Sequence, residues 1–124
     1  MLVDTDILID YLKAIPQSVE FVEAHIDLIA VSAITVAELY QGVRDGDERD
    51  ALDEFLSAVR VLETDSGIAK AAGLYRRQHK ASHNSGLADC LIAATASAHR
   101  IPLRTLNVKH FPMLTDVGSP YMKR

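Results

Sequence analysis

Short apolar runs alternate with helix-periodic stretches from one end of the chain to the other. Residues 1–4 begin with Met1-Leu2-Val3 and read as a short buried strand, after which Ile7, Leu8, Tyr11 and Leu12 mark one face of a helix. Pro16 opens a second helix that runs to about His25, because a proline suits the first helical position. Residues 28–31 are the next strand. Residues 34–43 follow as a helix, stopped by Gly42 and the polar turn Arg44-Asp45-Gly46-Asp47. Leu52, Phe55, Leu56 and Val59 then give a helix its i, i+3, i+4, i+7 face, and Val61-Leu62 is a third strand. Asp65 or Ser66 can cap a helix whose Ile68, Ala71, Ala72 and Tyr75 share a face. His83-Asn84-Ser85-Gly86 breaks the chain before a long Ala-rich helix to about His99, and residues 102–105 are a fourth strand.

Strands alternating with crossover helices predict an α/β fold: three layers, α/β/α, around a central, mainly parallel sheet of four to five strands. Ligand sites in such sheets lie beyond the carboxyl ends of the strands. Asp4 ends the first strand and Thr105 and Asn107 follow the fourth, so all three belong at that edge. Glu38 and Asp89 fall in early turns of helices that begin near it.

Those acids break the apolar pattern. Asp4 closes Met1-Leu2-Val3, Glu38 stands in Ile34-Thr35-Val36-Ala37-Glu38-Leu39-Tyr40, and Asp89 interrupts Leu87-Ala88-Asp89-Cys90-Leu91-Ile92. A buried, unpaired carboxylate is costly, so acids in such company tend to converge on something positive, here a metal ion. Each also has a structural reading. Asp4 suits a helix N-cap. Thr35-Val36-Ala37-Glu38 has capping-box spacing, in which the Glu reaches back to the cap amide. A first-turn Asp89 is favoured by the helix dipole. Against the last, Ile92, Ala93 and Ala96 share the Asp89 face, and small residues there suit close packing rather than solvent.

The 124 residues predict one domain spanning 1–124, long enough for a core that hides roughly two thirds of the unfolded surface. Apolar residues make up 48% and charged residues 24%, the profile of a soluble globule. Met1-Leu2-Val3 lacks the basic flank of a signal peptide, and no apolar run nears the ~18 residues of a membrane span, so a cytoplasmic protein with no membrane association is expected. Cys90 is the only cysteine, which excludes an intrachain disulfide and a thiolate cluster; it reads as a small buried hydrophobe. A net charge of −4 argues against binding nucleic acid by a broad basic surface, although it leaves room for a recruited cation. Arg76, Arg77 and Lys80, then Arg100 and Arg104, then Lys109, Lys123 and Arg124 read as solvated helix ends and tails. His79 and His83 have ligand spacing on a helix, but no Glu follows His79 as a zinc-protease motif requires, and they too read as a solvated end. Tyr11, Tyr40 and Tyr75 are expected in the core or at an interface.

Four segments together, Leu2-Val3-Asp4-Thr5-Asp6-Ile7-Leu8-Ile9-Asp10-Tyr11-Leu12, Thr35-Val36-Ala37-Glu38-Leu39, Ala88-Asp89-Cys90-Leu91-Ile92-Ala93-Ala94-Thr95-Ala96 and Leu103-Arg104-Thr105-Leu106-Asn107-Val108-Lys109-His110-Phe111, resemble the PIN-domain family, and within it the VapC-type ribonuclease toxins of toxin–antitoxin pairs. The resemblance spans nearly the whole chain in the right order. It implies that Asp4, Glu38 and Asp89 occupy the family's catalytic acidic positions, with Thr5 and Thr105 lining the site. The family's fourth acidic position falls on Asn107, a departure that removes a negative charge; Asp6, where a small neutral polar residue is usual, is a secondary site candidate that restores some of it. Asp116 is a remote substitute.

An all-oxygen site suits Mg²⁺, with Mn²⁺ able to substitute. Asp4 and Asp89 are expected to hold the ion directly, Glu38 and Asn107 through water, with Glu38 also a possible general base for an in-line attack on phosphorus. The resemblance implies RNA as substrate, products with a 5′-phosphate and a 3′-hydroxyl, inhibition by a cognate antitoxin protein, and a homodimer. Asp4-Thr5-Asp6 also suits a haloacid-dehalogenase-type phosphatase, which lacks its later Lys and acidic pair here. A phosphorelay receiver would need its acceptor Asp at the end of a central strand, whereas Asp45, Asp47, Asp50 and Asp53 sit in a turn and an amphipathic helix. A non-catalytic PIN-like module that binds RNA or protein is the remaining alternative.

Overall fold

Leu2 and Val3 are both completely buried although they are neighbours in sequence, because successive strand residues face opposite sides of a sheet and both sides are covered. In the computed structural model, which describes residues 1–79 and 85–122, the chain runs β1 (Leu2–Val3), α1 (Thr5–Leu12), α2 (Pro16–His25), β2 (Ala30–Ser32), α3 (Ala33–Gly42), α4 (Asp47–Ala58), β3 (Arg60–Leu62), α5 (Ser66–His79), α6 (Leu87–His99), β4 (Leu103–Arg104) and β5 (Val117–Gly118). The five strands are all parallel and ordered β3-β2-β1-β4-β5.

Val3 and Val31 pack with Ile7, Leu8, Val22, Leu39, Leu52 and Phe55 from α1 to α4. Leu2, Ala30, Leu62 and Leu103 face the other way, onto Ile92, Ala93 and Ala96 of α6 and onto Phe111. Helix α5 packs outside α6 through Ile68, Ala72, Cys90 and Ala94. The three-layer α/β/α arrangement is the one the pattern predicts, and Cys90 is the buried hydrophobe expected of it.

The helix starts follow local chemistry. Pro16 opens α2 as expected, and the Asp65 carboxylate accepts from the Ile68 amide at 2.8 Å to start α5. Gly46 has φ +91°, a conformation that favours glycine, and it turns the chain into α4. The strands differ from the sequence reading in extent, β4 being Leu103–Arg104 within the expected 102–105. The second strand is not 28–31: Ile26–Leu28 is a 3₁₀ turn, Leu28 is 64% exposed, and the strand begins at Ala30, the residue that pairs with Leu2. A fifth strand, β5, which the sequence pattern does not mark, pairs Val117 with Leu103 and packs the Val117 side chain against the cluster around Leu103 and Phe111. His83, Lys80, Lys123 and Arg124 lie outside the described residues. No described helix is long and apolar enough to cross a membrane.

Candidate metal centre

Strand order reverses between β1 and β4, since the chain builds outward to β2 and β3 on one side and then returns to add β4 and β5 on the other. At such a switch point the connections leave in opposite directions and open a crevice at the carboxyl edge. Asp4 stands at the end of β1 and Thr105 just past β4, so both enter that crevice.

Asp4 is the N-cap of α1 and is only 6% exposed. One carboxylate oxygen accepts from the Thr5 amide and the other from Thr105 Oγ1, each at 2.8 Å. Burial, then the charge of Asp6, push the Asp4 carboxyl up to about 7, against the bonds from Thr105 and Thr5; Asp89 adds to the rise. No described basic side chain forms an ion pair with it. A buried acid among acids, with oxygen neighbours, fits a hard divalent cation.

Thr5 connects two of the acids. Its amide serves Asp4, while its hydroxyl donates to Glu38 Oε1 at 2.6 Å and lies 3.0 Å from Thr35 Oγ1. Glu38 therefore faces the crevice, and the capping-box reading of Glu38 is overturned. The cap of α3 is Ser32, whose hydroxyl accepts from the Ile34 amide at 3.0 Å, and Glu38 lies well into the helix beyond the reach of that end.

Asp89 is the third residue of α6, whose N-cap is Gly86, so its carboxyl sits at the amino end of that helix, where the Gly86 amide favours the ionised form. Asp89 is half-buried, and His110 Nδ1 lies 3.4 Å from its Oδ2, close enough for attraction but long for a hydrogen bond. Burial raises the Asp89 carboxyl, with His110 and the Gly86 amide pulling it back.

Asp6 turns toward the loop after β4. Its Oδ2 accepts from the Leu106 amide at 2.9 Å and Asn107 Nδ2 at 3.0 Å, with Thr105 Oγ1 at 3.3 Å, and its Oδ1 accepts from the Ile7 amide. Burial raises its carboxyl against those bonds. Asn107 is exposed at the mouth. Asp116 is elsewhere: it precedes β5, hence lies at the amino edge of the parallel sheet, where it pairs with Arg104 at 3.4 Å.

Among the described residues no group of three or more His, Cys, Asp or Glu side chains is arranged to hold an ion by itself. Two carboxylates completed by water are what a small ion that dehydrates reluctantly requires. Sequence reasoning gave no role to His110, which touches Asp89 and whose carbonyl is held by the Ser85 hydroxyl. It also passed over Asp10, 3% exposed and reached by Tyr121 Oη at 3.2 Å. The fixed step from Asn107 to His110 in one turn was the available signal for the first; the second depends on a contact 111 residues away.

A family model described as PIN domain matches residues 1–111. Ribonuclease VapC10 of Mycobacterium tuberculosis is 39% identical over 124 residues, which cover 98% of this chain and 92% of that protein. Ribonuclease VapC1 of Methanocaldococcus jannaschii is 32% identical, over 95% of this chain and 83% of its own. Among solved structures, a toxin–antitoxin complex from Klebsiella pneumoniae superposes with a TM-score of 0.85 at 30% identity, covering 98% of each chain.

Proposed function

The chain belongs to the PIN-domain family, and on that premise we propose that it is a divalent-metal-dependent endoribonuclease, the toxin of a toxin–antitoxin pair. The observation that carries the metal dependence is Asp4, a buried carboxylate beside two other acids, with its proton affinity raised to about 7. A bound cation would relieve that repulsion.

Asp4 and Asp89 would hold Mg²⁺ or Mn²⁺, with Glu38 and Asn107 reaching it through water. When bound, the ion supplies charge stabilisation at a phosphate oxygen and lowers the pKa of a water. The chain's own residues do the rest. Thr105 and the Thr5 amide fix Asp4, so it meets the cation without rearrangement. Thr5 fixes Glu38, which accepts a proton as water adds to phosphorus and the bond to the 3′-oxygen breaks. The products are a 5′-phosphate and a 3′-hydroxyl.

Asp4→Asn and Asp89→Asn are each expected to reduce RNA cleavage in Mg²⁺ or Mn²⁺ at least about a hundredfold, the scale of losing one charge-stabilising group, and EDTA to abolish it. Cleavage indifferent to EDTA and to both substitutions would overturn the proposal.

The inhibitory partner is an antitoxin protein. A groove of about 580 Å³ between α1, α3 and α4 has an apolar floor that includes Leu12, Leu39 and Val43, reaches Ala51 and Glu38, and carries Lys13, Arg44 and Glu48 in its wall. A solved neighbour of this fold is described as a toxin–antitoxin complex, which supports an antitoxin segment as its occupant. Leu74 on α5 and Leu87 on α6, 41% and 55% exposed, offer apolar surface for a homodimer, which sedimentation of the purified chain would detect. Such an enzyme acts in the cytoplasm, where its substrate is.

A further inference from the structure

We propose that Asp6 is a positioning residue, paired with Asn107, that clamps the turn after β4 to α1 and leaves the Asn107 amide oxygen free for the metal's water shell. The inference rests on the metal-centre reading above and concerns how its fourth corner is built.

The clamp is made by one oxygen. Asp6 Oδ2 collects the Leu106 amide at 2.9 Å and Asn107 Nδ2 at 3.0 Å, from residues a hundred positions downstream. Thr105 Oγ1 is also within 3.3 Å, but its single proton has a shorter acceptor in Asp4 at 2.8 Å. With both lone pairs of Oδ2 taken, that oxygen has no capacity left to ligate an ion, and Oδ1 accepts from the Ile7 amide of its own helix. Asp6 is thereby tied to the turn after β4 and to α1 at once.

Its partner explains why Asn stands at 107. An ionised carboxylate only accepts hydrogen bonds, so Asn107 must present its NH₂ to Asp6, and the carbonyl end of a planar amide then faces the other way. Asn107 is exposed, so that oxygen is accessible. The Asn107 backbone amide donates to Thr105 Oγ1 at 3.1 Å, and the same hydroxyl holds Asp4. Asp6, Asn107, Thr105 and Asp4 thus form one connected network, and moving the turn moves a partner of Asp4. An Asp at 107 would set carboxylate against carboxylate at the 3.0 Å contact. The acid at 6 and the amide at 107 are complementary, and exchanging them should preserve the bond with its polarity reversed.

The experiment is a double-mutant cycle on the full chain with Asp6→Asn, Asn107→Asp and the two combined, together with Asp6→Ala. Mn²⁺ affinity by calorimetric titration and the Asn107 side-chain amide resonances of the metal-free protein are the readouts. Asp6→Ala is expected to weaken Mn²⁺ binding 10- to 100-fold, the usual range for an outer-shell partner. It should also remove the exchange protection of the Asn107 NH₂. Asn107→Asp should weaken binding about tenfold although it adds the family's usual acid, and the combined variant should recover to within about threefold of wild type.

Tighter Mn²⁺ binding by Asn107→Asp alone, or a combined variant no better than the product of the two singles, would overturn the clamp. Should Asp6→Ala fail to fold, the cycle decides without it. If wild type binds no Mn²⁺, the metal reading falls, and with it the link from the clamp to the metal. Protection of the Asn107 amide then tests the clamp separately, and its absence in wild type overturns that as well.

Discussion

Asp4 shows how a single side chain couples folding to pH. An acid whose folded pKa lies near 7 rather than 3.8 holds its proton more tightly in the native state than in the unfolded one. Between those values the folded chain binds more protons, so stability falls as pH rises. Asp6 and Asp89 are raised as well and act in the same sense. Metal-free protein is therefore expected to have a higher Tm at pH 5 than at pH 7.5, by several degrees, and Asp4→Asn should flatten that slope. Mg²⁺ or Mn²⁺ should raise Tm more at pH 7.5 than at pH 5, because the ligand must be deprotonated. Thermal melts at the two pH values, with EDTA or metal, check both signs; a metal-free chain that is more stable at pH 7.5 contradicts the account.

The elements carrying the acids are set by short-range rules, which is why so much of them was legible. Pro16 opens α2, Asp65 caps α5, and the small residues after Asp89 allow α6 to lie close on the sheet. What was not legible depends on distant partners. Strand β5 is two residues long and carries no alternation to read. The Thr35–Glu38 spacing mimics a capping box, whereas the true cap, Ser32, is fully buried at the end of β2, where local sequence does not mark a helix start. Asp6 could be picked out as an acid, but its clamp on 106 and 107 follows only from the β1–β4 pairing. Ser32 gives a test at this scale. Ser32→Ala removes the hydroxyl that satisfies the Ile34 amide and should cost about 1 kcal/mol. Since α3 carries Glu38, cleavage should fall too, but by far less than in Glu38→Gln. Denaturant midpoints and initial rates on the same preparations measure the two effects, and a cleavage loss equal to that of Glu38→Gln would place Ser32 in the chemistry.

For the molecule as a whole, the strand order decides where everything meets. Reversal between β1 and β4 brings residues 4–6 beside residues 104–107, while α3 and α6 deliver Glu38 and Asp89 to the same edge. The groove between α1, α3 and α4 is built from two of the helices that carry the site, and Glu38 lies in its wall. A protein segment seated there would cover the approach to Glu38, so inhibition needs no transmitted conformational change. Ala51 is exposed on α4 and lines the groove at a distance in sequence from every acid of the site. A glutamate there would add bulk and a negative charge to a wall that already holds Lys13, Arg44 and Glu48, so an antitoxin segment seated in the groove would lose its fit at that point. Ala51→Glu should therefore raise the antitoxin concentration for half-inhibition about tenfold or more, each rate being normalised to the same variant without antitoxin. Titration of RNA cleavage with the cognate antitoxin measures this ratio. An unchanged half-inhibition point would move the inhibitory contact off the groove and leave the occlusion of Glu38 without support.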